Sequence, residues 1–164
     1  MNRVIVSGGH IISARHTQLV ALDQDGRCNI IVRWDSNTEK KYYWENLRLG
    51  TMSSPRIYDI VVIKPEPILL GDTPKAPKYY PDFLVQDARK AWYFVEVKGA
   101  VETPTWRKVM AILADRIESG RLTASFLGES VHPTLKIVRY INKQWEIEEI
   151  KKSSDAHGRA AVKK

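Results

Sequence analysis

Apolar residues recur two apart along most of this chain and three or four apart in two stretches, and the change of period marks the elements. "VIVSGGHIIS" (4–13) alternates and reads as two short strands around Gly8–Gly9. "LVALDQDGRCNIIVRW" (19–34) reads as a hairpin turned at Asp25–Gly26. A helix follows over 37–49: Ser36 precedes Glu39 by the capping-box spacing, Tyr43 and Leu47 fall one turn apart, and Gly50 supplies a stop. "PRIYDIVVIKPEPILL" (55–70) is rich in β-branched residues and predicts one long strand, bent or demoted at Pro65 and Pro67. "GDTPKAPK" (71–78) is a proline-rich basic loop. "KYYPDFLVQDARKAWYFVEVKG" (78–99) then predicts a second hairpin, turned at "DARK".

In "TPTWRKVMAILADRIESG" (103–120) the period lengthens again. Thr103 suits an N-cap, Pro104 the first helical position and Gly120 the end, while Trp106, Val109, Met110, Leu113 and Ile117 share one face. "PTLKIVRYI" (133–141) and "QWEIEEI" (144–150) read as strands. The tail 151–164 has little apolar content beyond alanine and is expected to be disordered. The order predicts an α/β (α+β) domain, a mixed sheet flanked by helices over 33–150, preceded by a β-rich N-terminal extension over 1–32.

The second hairpin carries the candidate chemistry. Side chains alternate along a strand, so Glu96 and Lys98 share a face while Val95 and Val97 point to the other. Antiparallel pairing around "DARK" puts the start of the first strand beside the end of the second, and hence Asp82 beside Glu96 and Lys98. Two carboxylates among apolar residues repel unless a cation lies between them. Mg²⁺ suits such a place, because it takes oxygen ligands and keeps several waters. One of those waters can attack a phosphate whose charge the metal bears, with Lys98 polarising the water or neutralising the phosphate. The plain alternative is a lysine–carboxylate pair on a solvated face.

Composition narrows the partners. The 164 residues are 43% hydrophobic, enough for a core, and the net charge of +7 favours an acidic partner such as nucleic acid. A single cysteine, Cys28, allows no disulfide within the chain and suits a reducing cytoplasm. No stretch approaches the roughly 18 apolar residues of a membrane span, and no signal peptide is expected.

At these residues the chain resembles the PD-(D/E)XK nuclease superfamily, with Pro81–Asp82 as the PD element and Glu96–Val97–Lys98 as (D/E)XK. "YYPDFLV…WYFVEVKG" looks like the form found in small phage-encoded endonucleases, phage junction resolvases and TnsA-type transposon-end nucleases. "WDSNTEK" resembles the helix-opening "FDSKxEA" of one such phage family and makes Glu39 the match to its additional acid. The similarity spans residues 33 to 118. It implies a restriction-endonuclease-like sheet and a Mg²⁺-dependent DNA endonuclease, with Mn²⁺ substituting. Glu39, Asp82, Glu96 and the Val97 carbonyl would hold metal, Lys98 would assist water, and the products would be a 5′-phosphate and a 3′-hydroxyl. Phage or mobile-element DNA processing follows, as a homodimer or beside a transposase or other phage protein.

Glu39 also reads as the reciprocal cap of Ser36, Glu45 faces away from it, and Asp59 reads as a strand-end charge. DNA contacts are expected from Lys75 and Lys78 in the loop, Lys40 beside Glu39, and Arg107 and Lys108 on the second helix. Trp34, Tyr42, Tyr79 and Tyr80 read as packing. A non-catalytic DNA-binding or assembly protein on the same fold is the second reading; a Tudor- or SH3-like module, suggested by residues 19–34, is the third.

Overall fold

The computed structural model describes residues 34–47, 60–99 and 101–152 in full, and the backbone of 3–7, 10–15, 20–22, 28–31 and 58–59. The expected tail beyond 152 and the helix stop at Gly50 lie outside the described residues. Before the first helix come β1 (Arg3–Ser7), β2 (His10–Arg15), β3 (Val20–Leu22) and β4 (Cys28–Ile31). Helix α1 (Asn37–Tyr42) is followed by β5 (Tyr58–Ile63), β6 (Ile68–Leu69), β7 (Lys78–Tyr79), β8 (Phe83–Asp87) and β9 (Trp92–Lys98). Then come α2 (Pro104–Glu118), β10 (Ala124–Phe126), β11 (Glu129–Val131), β12 (Thr134–Ile141) and β13 (Gln144–Ile150).

Seven strands form one sheet in the order β13-β12-β9-β8-β5-β1-β2. β12 runs parallel to β9 after the α2 crossover, and every other pairing in that sheet is antiparallel. This is the mixed α+β architecture that the alternation of periods predicts. The N-terminal strands form as expected, and β1 adds to the sheet beside β5.

Alternation assigns the two faces. Val61 and Ile63 of β5, Phe83 and Val85 of β8 and Val95 of β9 pack with Tyr42, Tyr43 and Leu47 on the α1 side. Val62, Leu84, Phe94, Leu135 and Ile137 pack with Met110, Leu113 and Ile117 of α2 on the other. A sheet covered on both faces needs apolar residues at consecutive positions, which explains "DIVVI" and "DFLV". Helix α2 begins as predicted, with Thr103 Oγ1 accepting from Trp106 N at 3.1 Å, and ends before Gly120, whose φ of +73° suits glycine.

Two expected elements differ. The first helix is α-helical only to Tyr42; Tyr43–Leu47 is a wider π-helical segment. Adjacent rings account for it: Tyr42 and Tyr43 are both buried, and both pack on Phe83 with centroids 6.3 Å away. The predicted long strand is instead two. β5 stops at Ile63, Lys64 takes a left-handed φ of +55°, and the prolines at 65 and 67 cannot donate to a ladder. The chain resumes as β6, which pairs with β7, so Lys78 lies on a strand and not in a loop. The β10–β11 hairpin was not predicted; its turn sets Leu127 and Gly128 at φ +49° and +85°.

Candidate active site

The β8–β9 register pairs Phe83 with Val95 and Leu84 with Phe94, so Asp82, one residue before β8, is set opposite Glu96. Asp82 Oδ2 accepts from the Val97 backbone N–H at 2.8 Å, which ties the acid to the neighbouring strand. The Glu96 carboxylate is held at both oxygens: Tyr79 donates its hydroxyl to Oε1 at 2.8 Å, and Trp106 donates its indole N–H to Oε2 at 2.9 Å. Lys98 lies on the Glu96 face, with its ammonium 5.1 Å from the centre of the Trp106 ring. The hairpin thus brings Asp82, Glu96 and Lys98 together as the alternation predicts.

Glu39 approaches from α1. Its backbone N–H donates to Ser36 Oγ at 3.0 Å, so the N-cap forms. Its side chain, however, is turned inward, only 3% exposed, and pairs with Lys64 Nζ, 3.2 Å from Oε1. That contact ties Oε1 to the ammonium, and the Asp35 backbone also bonds the Glu39 carboxylate. Lys64 also bonds the exposed Asp35, and its backbone N–H donates to the Asp82 carbonyl at 3.0 Å.

The electrostatics match crowded acids, Glu39 buried and Asp82 and Glu96 half-buried. Burial pushes the Asp82 carboxyl well above the usual carboxylate range, and the charges of Glu96 and Glu39 push it further, against the Val97 N–H and Lys64. Burial also raises Glu96, against the Trp106 and Tyr79 donors and the Lys98 charge. Glu39 is raised by burial and partly restored by Lys64. Tyr79 is driven far above the normal phenol range by its own burial and by the two acids, so it stays a donor.

Among the described residues no group of three or more His, Cys, Asp or Glu side chains forms a metal-holding cluster. Mg²⁺ binds through one or two carboxylates and fills the rest of its shell with water and phosphate oxygens, so an adjacent pair is the least it would need. The chemistry of the donor set would suit such an ion: Asp82 and Glu96 are adjacent carboxylates raised by burial, and Asp82 is raised further by its acidic neighbours.

The remaining candidates spread around this centre. Lys78 is exposed and precedes Tyr79; Arg107 is exposed and follows Trp106, so each adjoins a residue that holds Glu96. Lys75 and Lys108 are exposed on the proline-rich turn and on α2, and Lys40 is exposed on α1 beside Glu39. Glu45 faces away, bonded to Lys41 at 2.6 Å and to Trp145 Nε1 at 3.2 Å. The side chain of Asp59 lies outside the described residues. Sequence reasoning missed Lys64, Trp106 as a donor and the role of Tyr79. Lys64 follows β5 directly and stands before two prolines, a signal for a strand end that could have been read.

No family model, curated protein or solved structure matches the chain. Among the described residues no helix is long and apolar enough to cross a membrane.

Proposed function

We propose that the protein is a Mg²⁺-dependent DNA endonuclease of the PD-(D/E)XK type. The observation that supports this most is the placement of Asp82 against Glu96 at adjoining strand ends, with Lys98 on the same face. Asp82 and Glu96 would hold the ion, with the Val97 carbonyl as a further ligand and Glu39 held beside them by Lys64. When bound, the metal supplies a water of lowered pKa and a positive charge for the phosphate oxygens. The chain's own residues do the rest. Val97 N–H fixes Asp82, Tyr79 and Trp106 orient Glu96, and Lys98 delivers a cation or a proton donor beside it. Lys78 and Arg107 flank this centre and would grip the phosphodiester backbone, with Lys40, Lys75 and Lys108 extending the basic surface. The setting would be phage or mobile-element DNA processing in the cytoplasm of a bacterial or phage-infected cell.

A non-catalytic DNA-binding protein is the second reading. What favours it is that both Glu96 oxygens already hold a donor, as a purely structural carboxylate would. Cleavage of plasmid, four-way junction, flap and linear duplex with and without Mg²⁺, beside Lys98→Ala, separates the two. Metal-dependent nicking that Lys98→Ala abolishes supports the nuclease; DNA binding with no cleavage of any substrate supports the second reading.

A further inference from the structure

Lys64 is a cation of this centre that the nuclease reading does not use. Its side chain is only 16% exposed, and its ammonium spans Glu39, which is buried, and Asp35, which is in solvent. The backbone holds it there. Lys64 N–H is bonded to the Asp82 carbonyl, and the residue sits at φ +55°, a left-handed conformation that side chains other than glycine, asparagine and aspartate seldom take. The acids divide accordingly. Asp82 and Glu96 face each other across β8 and β9, while Glu39 comes from the other face of the sheet and meets Lys64.

We propose that the Lys64 ammonium takes the place of a second metal ion, holding Glu39 so that the centre binds a single divalent cation between Asp82 and Glu96. This rests on the nuclease reading. Two-metal centres hold their ions roughly 3.5–4 Å apart, with carboxylates serving both. Here the position beside Glu39 is filled by a group that carries one charge, offers rotatable N–H donors and brings no water that could ionise. Glu39 then acts as the counter-charge of Lys64 and a positioning residue, not as a ligand of the single ion.

Mn²⁺ titration of the full chain, followed by calorimetry and by the electron paramagnetic signal of free Mn²⁺, tests this without any turnover. The wild type and Lys64→Arg bind one ion. Glu39→Gln still binds one, with Kd unchanged within about threefold. Lys64→Gln, which leaves Glu39 without its cation, binds two. Two ions in the wild type would overturn the proposal, as would one ion in Lys64→Gln. A loss of tenfold or more in affinity on Glu39→Gln, the size expected for a ligand or its direct support, would overturn it as well. If Lys64→Gln fails to show a cooperative melt, Lys64→Arg and Glu39→Gln decide the matter. No Mn²⁺ bound by the folded wild type would instead remove the nuclease reading on which this one rests.

Discussion

Asp82→Asn separates the cost of the acidic centre from its use. In the metal-free protein Asp82 either stays ionised against Glu96 and Glu39 or takes up a proton at a pH where a free aspartate would not. Each unit of such a shift corresponds to about 1.4 kcal/mol. Asparagine keeps the shape, and its carbonyl oxygen can accept the Val97 N–H bond that Oδ2 accepts now. Removing the charge should therefore stabilise the metal-free protein by about 1–2 kcal/mol, the range found when a strained functional site is relieved. For a chain of this length that is a rise in Tm of about 2–8 °C. The sign with pH follows from linkage. The folded pKa is raised, so between the ordinary value near 4 and the raised one the folded state holds more protons than the unfolded. The stability of the metal-free wild type therefore falls as pH rises through that window, and the advantage of Asp82→Asn grows with pH. Mg²⁺ reverses the order: at one hundred times Kd it adds about 2.7 kcal/mol to the wild type and little to the variant. Differential scanning calorimetry at pH 5 and pH 7.5, in EDTA and in Mg²⁺, measures all four states. A variant less stable than wild type in EDTA at pH 7.5, or equal gains from Mg²⁺ in both proteins, would refute the reasoning.

Tyr79→Phe and Trp106→Phe each free one Glu96 oxygen; each should weaken Mg²⁺ binding by about 10–100-fold in calorimetric titration, with wild-type secondary structure retained. Lys98→Ala should reduce cleavage by about 100-fold or more. Its ring contact with Trp106 is worth only about 0.5–1 kcal/mol, so denaturant melts should change little. Leu113→Ala, at a position with no exposed surface beneath α2, should cost about 2–5 kcal/mol in urea unfolding. Mg²⁺ binding should tighten as pH rises from 5 to 8 and release protons, seen as a buffer-dependent enthalpy, because Asp82 and Glu96 must ionise to bind it.

Legibility in the sequence follows distance along the chain. The β8–β9 hairpin was readable because its alternation and its turn are local, and these alone set Asp82 opposite Glu96. Helix α2 was readable for the same reason: cap, proline, apolar period and terminal glycine all lie within 18 residues, 103 to 120. The partners of the carboxylates were not. Tyr79 reaches Glu96 across 17 positions and Trp106 across 10, and neither spacing is a period of any element. The capping spacing of Ser36 and Glu39 was visible, but it serves a backbone N–H, while the Glu39 side chain meets Lys64, 25 positions on and after β5. The β10–β11 turn defied prediction because Leu127 takes the left-handed conformation that Asn or Gly normally announces.

What crowds three acids together, one buried and two half-buried, is the core on either side of them. Phe83, Val85 and Val95 are buried against α1, and Leu84 and Phe94 against α2, so the β8–β9 pairing is specified from both faces. A slip of one residue would exchange those faces and move Asp82 off Glu96. The carboxylates cannot supply that register, since their mutual repulsion opposes it. They lie where the β8–β9 ladder ends: Asp82 precedes β8, and Glu96 follows the Phe83–Val95 pair while β9 continues against β12. There the backbone can spare an N–H for Asp82, and side chains from β7, α2 and the segment after β5 can reach in without breaking the apolar layers. The apolar layers therefore bear the cost of assembling the acids, and a cation that relieves the repulsion converts that cost into binding affinity.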